Sequence, residues 1–289
     1  MDQFPKVFVV ILNYNGREFI RQCLAGVFGL NYPNFEVVVV DNNSEDGSLE
    51  EAKKFFSRAH FIKNEENIGF SAGNNAGIRF ALEHMADWVM LLNQDTVVEK
   101  NMLEKLIETG QNDPHLGAIS PLVLRGDTSK VWFSGGKIDW WRMKTIHERE
   151  SIKSINYRSD FICGCSMMVR KEVFAKIGLL DEDFFLYWED ADFSVRAKKA
   201  GYKLAVTPET HIRHFEKSSA PEGSKIYWLV ISGLIFFQKN ATPFMKLWGS
   251  LYYFLRRVKN WMDLGKGKKE ASQVRNAYND FKKLCQEAK

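Results

Sequence analysis

Apolar and polar positions alternate in blocks through the first two hundred residues. Val7–Leu12, Val37–Val40 and Trp88–Leu92 are unbroken apolar runs. Short runs of this kind predict strands buried on both faces, as in a parallel sheet. Glu36–Val40 extends the second, and His60–Lys63 predicts a further short strand. Between them Arg17–Phe28, Ser48–Phe56, Ser71–His84 and Glu99–Gly110 predict helices, the last ending at its glycine. Ser44 or Asp46 is available to cap the second helix. Alternation of strand and helix implies right-handed βαβ units and a parallel sheet. From Gly117 to Val169 the pattern turns to short strands and loops, and Gly178–Gly201 predicts a loop and then a helix.

The pattern changes again near the end. Tyr227–Phe237 is almost wholly apolar, but a spanning helix needs about 20 such residues. Phe244–Trp261 mixes Trp248, Tyr252, Tyr253, Phe254 and Trp261 with Lys246, Arg256, Arg257 and Lys259. That mixture suits an amphipathic helix at a lipid interface, and equally one packed on the main domain. Gly265–Lys269 reads as a short linker. The expected division is residues 1–222 as one α/β domain and 223–289 as a helical, basic extension.

Charge sharpens that division. The chain of 289 residues carries a net +4. Residues 244–289 hold 11 Lys or Arg and 4 Asp or Glu, a local +7, so the rest sums to −3. A nearly neutral body with a basic tail excludes a general nucleic-acid binder and admits peripheral contact with a membrane surface. Hydrophobic content of 45% and charged content of 26% are ordinary for a globular protein. Cys23, Cys163, Cys165 and Cys285 form no C-x-x-C pair and predict free thiols in a reducing cytosol. The N-terminus lacks a basic segment ahead of its short apolar run and reads as a first strand, not a signal peptide. Cytoplasmic residence, with the tail at the inner face of the membrane, is the expectation.

The chemistry sits where strands end. In an open α/β sheet, ligands bind beyond the carboxyl ends of the strands. Asn13-Tyr14-Asn15-Gly16 follows the first strand, and Asp41-Asn42-Asn43-Ser44 the second. Asp41 suits a pyrimidine N–H or a ribose hydroxyl, and it suits a helix cap as well. Asn67-Ile68-Gly69 leads into a glycine-spaced helix start that includes Asn74, where backbone N–H groups favour anions. Neither G-x-G-x-x-G nor a lysine-bearing phosphate loop occurs, which removes the main support for dinucleotide oxidoreductases and P-loop enzymes. Asn93-Gln94-Asp95 follows the strand at Trp88–Leu92. Asp95 is a candidate ligand for Mg²⁺ or Mn²⁺, which commonly bind one or two carboxylates plus phosphate oxygens. Glu189, Asp190 and Asp192 open a helix after the aromatic run Phe184–Tyr187. The macrodipole favours acids there, yet three exceed what capping needs, and one could serve as a general base. His214, with Lys217-Ser218-Ser219 behind it, could serve a metal or a diphosphate.

Taken together, VVILNYNG, VVVVDNNSEDGS, NIGFSAGNNAGI, LLNQDT and CGCSMMVRKEVFAKIGLLDEDFFLYWEDADFSVRAKKAGY, in this order, give the chain its resemblance to a known family. It resembles the inverting family 2 glycosyltransferases of the GT-A type, rhamnosyltransferase-like branch, over residues 5–219. The resemblance implies a Rossmann-like GT-A fold with a mostly parallel sheet, a nucleotide-diphosphate-sugar donor (dTDP-rhamnose or a UDP-sugar) and a divalent metal. The acceptor implied is a hydroxyl of a glycan or lipid-linked saccharide. Asp41 would hold the base, with Asn13, Asn15, Asn43, Asn67, Gly69, Asn74 and Asn93 around the donor and Asp192 on substrate. Asp95 matches the final acid of D-x-D and would bind metal with His214. Asp190, beside Glu189, matches the catalytic base. Two departures stand out. The first acid of D-x-D is Asn93, and a related Arg-Asn pair is replaced by Ile231-Ser232. A nucleotidyltransferase, or a non-catalytic nucleotide-sugar-binding subunit, is the alternative.

Overall fold

A computed structural model describes residues 4–216 and 224–287. Lys217–Ser219 and the expected division at residue 222 lie outside them. The chain runs β1 (Val7–Asn13), α1 (Ile20–Phe28), β2 (Phe35–Asp41), α2 (Ser48–Phe55), β3 (His60–Lys63), α3 (Gly69–Glu83), β4 (Trp88–Asn93), β5 (Thr96–Val98) and α4 (Met102–Gln111). It continues through β6 (Leu116–Arg125), β7 (Val131–Phe133), β8 (Gly135–Asp139), β9 (Lys144–Glu148), β10 (Ser166–Arg170), α5 (Lys171–Ile177), α6 (Glu189–Lys199) and β11 (Lys203–His214). Three helices close it: α7 (Ser224–Asn240), α8 (Pro243–Gly265) and α9 (Ala271–Glu287).

One sheet of nine strands carries the fold, in the order β3-β2-β1-β4-β10-β6-β11-β5, with β7 paired to β6. The first four strands are parallel. In β1, β2 and β4 most side chains are buried on both faces, which is why the sequence shows continuous apolar runs there and not alternation, whereas β3 lies at the sheet edge and is only half-buried. β10 runs antiparallel between β4 and β6, and β11 runs parallel to β6. Register places two partners at the sheet's carboxyl edge. Asn13 lies opposite Asp41, and His214 lies opposite Thr96, next to Asp95.

The glycine-spaced segment is explained largely by packing. A Cβ on Gly77 would meet Val10 Cγ1 at 2.3 Å, and one on Gly73 would meet Leu12 Cδ1 at 2.5 Å. These glycines let α3 lie close on β1. Gly110 does not end its helix: α4 runs to Gln111, and Gly110 instead makes room for the Trp88 ring.

The last three helices divide in their roles. α7 packs into the main core through Ile231, Ile235, Phe236 and Phe237, so the apolar stretch Tyr227–Phe237 covers the α/β body. α9 returns against α7, where Tyr227 donates to Asp280 at 3.1 Å. α8 rests on α9 through Asn260 and Tyr253. Its opposite side leaves Phe244, Leu247, Leu251, Phe254, Leu255, Val258, Trp261 and Met262 exposed. No helix among the described residues is long and apolar enough to cross a membrane. All four cysteines are free thiols.

Candidate active site

A cavity of about 680 Å³ opens at the carboxyl edge of the sheet. Its wall includes Asn42, Asn67, Gly69, Asn93, Asp95, Glu189, Asp190 and His214. Strands β2, β4 and β11, the start of α3 and the start of α6 therefore converge on one space, as the open-sheet rule requires.

Asp95 and His214 meet on the wall. His214 Nε2 lies 3.2 Å from Asp95 Oδ1, and both residues are buried. The contact follows from topology, because β11 pairs with β5 and Phe215 N donates to the Asp95 carbonyl at 3.0 Å. His214 Nδ1 is buried without a hydrogen-bond partner. Asn93 Nδ2 lies 3.5 Å from His214 Nε2. Among the described residues, no group of three or more His, Cys, Asp or Glu is arranged to hold a metal ion by itself. A carboxylate beside an imidazole with an unsatisfied buried nitrogen nevertheless fits a hard cation completed by substrate phosphate oxygens.

Glu189 and Asp190 line the same cavity. Asp190 Oδ2 accepts from Gly164 N at 2.9 Å, and its Oδ1 accepts from Ala191 N at 2.7 Å. Desolvation raises its pKa above the usual aspartate range, partly offset by those amides and the Cys163 thiol. Glu189 is buried, and its Oε2 lacks a partner. Burial first, and then the Asp190 charge, push the Glu189 carboxyl well above its ordinary value. The turn that presents this pair is strained. Tyr187 and Trp188 take φ of 68° and 72°, the left-handed region that non-glycine residues rarely occupy. α7 holds that turn: Ser232 Oγ donates to Leu186 O at 2.8 Å, and Trp188 Nε1 donates to Leu229 O at 3.1 Å. Here Ile231-Ser232 has a visible task, one residue in the core and the other on the turn.

Several expected residues do other work. Asp41 and Asn13 do not line the cavity. Both are fully buried, and Asn13 Nδ2 donates to Asp41 Oδ1 at 2.7 Å. Ser44 supplies Asp41 with two more donors, its N at 3.0 Å and its Oγ at 2.6 Å. Asn15 Oδ1 accepts from Glu45 N at 2.9 Å, tying the two loops together away from the cavity wall. Asn43, in the left-handed region at φ 60°, and buried Asn74, which donates to Phe70 O at 2.9 Å, are likewise off the wall. Asp192 is also off the wall. It is buried between Arg196 Nε and Asn240 Nδ2, both at 2.7 Å, and ties α6 to α7. Two residues past Asp190 on a helix is about 200° around the axis, so the two acids face apart.

Asn67 and Gly69 are on the wall as expected. Asn67 Oδ1 accepts from Gly69 N at 3.1 Å. A Cβ on Gly69 would sit 2.6 Å from Phe185 O, which fixes the α3 start against the aromatic run. Sequence reasoning missed Asn42, Gln94, Trp132, His147 and Trp228 on the wall. Gln94 pairs with both backbone groups of Tyr14, at 2.8 and 3.0 Å. Burial, and then Arg149, lower the His147 pKa to about 4, so that ring is neutral at pH 7. Trp228 stacks on Phe185 at 4.2 Å. Asn42 and Gln94 adjoined residues already singled out. Trp132 and His147 come from a segment with no periodicity to read.

Solved structures with this architecture include GalNAc-T7 with UDP, GalNAc and Mn²⁺, at TM-score 0.67 and 19% identity over 82% of this chain and 48% of that one. The mannosyltransferase PcManGT of Pyrobaculum calidifontis, with GDP-Man and Mn²⁺, matches at TM-score 0.61 and 16% identity, over 96% and 74%. The fold is that of the GT-A glycosyltransferases. The chain belongs to glycosyl transferase family 2, whose profile matches residues 8–178. Among curated relatives, the low-salt glycan biosynthesis hexosyltransferase Agl10 of Haloferax volcanii is 30% identical over 68% of this chain. This chain spans 62% of Agl10's length. The dTDP-rhamnosyl transferase RfbF of Shigella flexneri is 26% identical over 83% of this chain and 82% of its own. The N-acetylglucosaminyl-diphospho-decaprenol L-rhamnosyltransferase of Mycobacterium tuberculosis is 24% identical, over 73% and 76%.

Proposed function

We propose that this protein moves a sugar from a nucleoside-diphosphate donor to a hydroxyl of a glycan or lipid-linked saccharide in cell-surface polysaccharide synthesis, with inversion at the anomeric carbon. dTDP-rhamnose is the leading donor, on the likeness to RfbF, and a UDP-sugar is the second choice. The observation that carries the reading is one cavity lined by Asp95, His214 and Asp190 together. A cation site and a carboxylate base facing one space are what a single displacement needs. The family match sets aside the nucleotidyltransferase alternative.

Asp95 and His214 would hold Mg²⁺ or Mn²⁺. Such an ion neutralises charge on a leaving diphosphate without protonating it. Asn42, Asn67 and Asn93 line the cavity with amide donors and acceptors for the nucleotide. Asp41 and Asn13 act behind them, fixing the loops at residues 13–15 and 41–48. Asp190 accepts the acceptor's hydroxyl proton as that oxygen attacks, because its two amide contacts leave lone pairs toward the cavity. The apolar wall of Phe185, Leu186, Trp228 and Leu229 limits water around the reacting groups.

The test is release of free nucleoside diphosphate from a panel of nucleotide sugars, with an acceptor present, in Mg²⁺, Mn²⁺ or EDTA. Turnover should need the divalent ion, and Asp95→Ala should abolish it while leaving the circular dichroism spectrum intact. Full turnover in EDTA would refute the metal assignment, and pyrophosphate in place of nucleoside diphosphate would refute the reaction class.

A further inference from the structure

α8 is amphipathic with its polarity reversed: the apolar side faces outward. Phe244, Leu247, Leu251, Phe254, Leu255, Val258, Trp261 and Met262 recur at spacings of three and four, so they form one stripe. Leu247 is 73% exposed and Trp261 75% exposed. The side turned to the protein holds buried Asn260 and half-buried Tyr253. The stripe continues onto a second element. Trp141, itself exposed, packs edge-on against Phe244 and Trp248, at 6.2 and 5.6 Å. Trp141 sits in the turn between β8 and β9, and β9 sends His147 to the cavity wall.

Scattered exposed apolar residues are ordinary, but a contiguous stripe of this length marks a surface that meets something apolar. The charges beside it say what. At 3.6 residues per turn, Lys246 and Arg257 fall along one edge of the stripe and Lys259 along the other. The only acid on α8 is Asp263, already paired with Lys259 at 3.4 Å and Lys268 at 2.8 Å. A second copy laid on this stripe would set cations against cations. A bilayer with anionic headgroups presents acyl chains to the stripe and negative charge to both edges.

We propose that α8, together with Trp141, is an interfacial face that seats the protein on an anionic membrane without crossing it. The proposal rests on that surface alone, so its test stands whether or not sugar transfer is found. It sets the hairpin of β8 and β9 between the bilayer and the cavity. From Trp141 to His147 is six residues, roughly 20 Å of extended chain.

The test is cosedimentation of the full chain with phosphatidylcholine vesicles, with and without phosphatidylglycerol. At low salt, binding to the anionic vesicles should be about 30-fold tighter, from Lys246 and Arg257, since the Lys259 charge is offset by Asp263. That preference should fade with added salt, because the Debye length is about 10 Å at 0.1 M. The triple variant Leu247→Glu, Leu251→Glu, Phe254→Glu should lose binding to both vesicle types. These side chains are already in solvent, so the circular dichroism spectrum should not change. Lys246→Glu with Arg257→Glu should keep the apolar stripe and lose the anionic preference. Brominated lipid should quench emission in the unaltered chain, and less so after Trp261→Phe. The proposal is overturned by vesicle binding unchanged in the triple variant, by no vesicle binding, or by a dimer that the triple variant dissociates.

Discussion

Asp41 and Asp190 were drawn to the same site by the same kind of signal, an acid where an apolar element ends, and the fold uses them in opposite ways. Asp41 is enclosed. Asn13 and both donors of Ser44 reach its carboxylate, and it is absent from the cavity wall. Asp190 has two backbone amides and a face open to the cavity. The difference lies in the neighbours. Short polar side chains surround Asp41: Asn13 and Ser44 bond to it directly, and Ser48 accepts from Asn13 behind them. Asp190 follows Phe184, Phe185, Leu186, Tyr187 and Trp188, and the Trp188 indole N–H is spent on Leu229 O. An acid among short polar residues organises loops, whereas an acid after aromatic residues is left to meet a ligand.

Three substitutions test that contrast. Asp190→Asn should have the largest effect, lowering turnover by about 10²–10⁴ with donor binding nearly unchanged. The pH profile of kcat/KM belongs to the same test. Below its pKa the Asp190 carboxyl is protonated and cannot take a proton, so activity falls on the acid side. Because desolvation raises that pKa, the acid limb should lie above the usual aspartate value of about 4. An acid limb at or below that value, or a retained anomeric configuration in the product, would break the assignment.

Asp41→Ala should act first on stability. It removes one acceptor of the buried Asn13 amide and the acceptor of both Ser44 donors, at a cost of about 1–3 kcal/mol read by urea unfolding. Loss of activity with no change in the unfolding midpoint would place Asp41 on the ligand after all. Glu189→Gln should have the smallest effect, a gain of about 1 kcal/mol near pH 8. The raised carboxyl of Glu189 binds a proton more tightly folded than unfolded. Stability therefore falls as pH rises from the unfolded value of about 4.3 toward the raised one. The variant should flatten that slope, and an unchanged slope would remove Glu189 as its cause.

Much of this was legible beforehand because the parallel strands β1, β2 and β4 are buried on both faces, which leaves an unmistakable apolar run. β1, β2, β3 and β4 fall within a residue of their expected bounds. The strand-end rule brought Asp95 and Asn93 to the cavity wall, and the glycine-spaced helix start brought Asn67 there. Three things were not legible. β10 enters the sheet antiparallel between β4 and β6, a long-range pairing with no local signal. Asp192 looks like a third cavity acid until the helix rotation between it and Asp190 is counted. The mixed pattern of α8 suited a lipid interface and packing on the main domain equally, and only the structure shows α7 covering the core while the apolar side of α8 faces solvent. Which face of a helix is covered depends on partners elsewhere in the chain.

The left-handed turn at Tyr187 and Trp188 has a consequence for anyone recombining this protein with its relatives. Non-glycine residues in that conformation cost of order 1–3 kcal/mol each and persist only where surroundings over-determine them. Here the clamps are Leu229 and Ser232, more than forty positions downstream, while the matched family segment ends at residue 178. A chimera joined just after that segment would inherit β1 to β10 and receive an acid-bearing turn grown against a different clamp. The natural cassette for exchange is the turn, α6 and α7 together, transplanted as one piece with the cavity wall it completes.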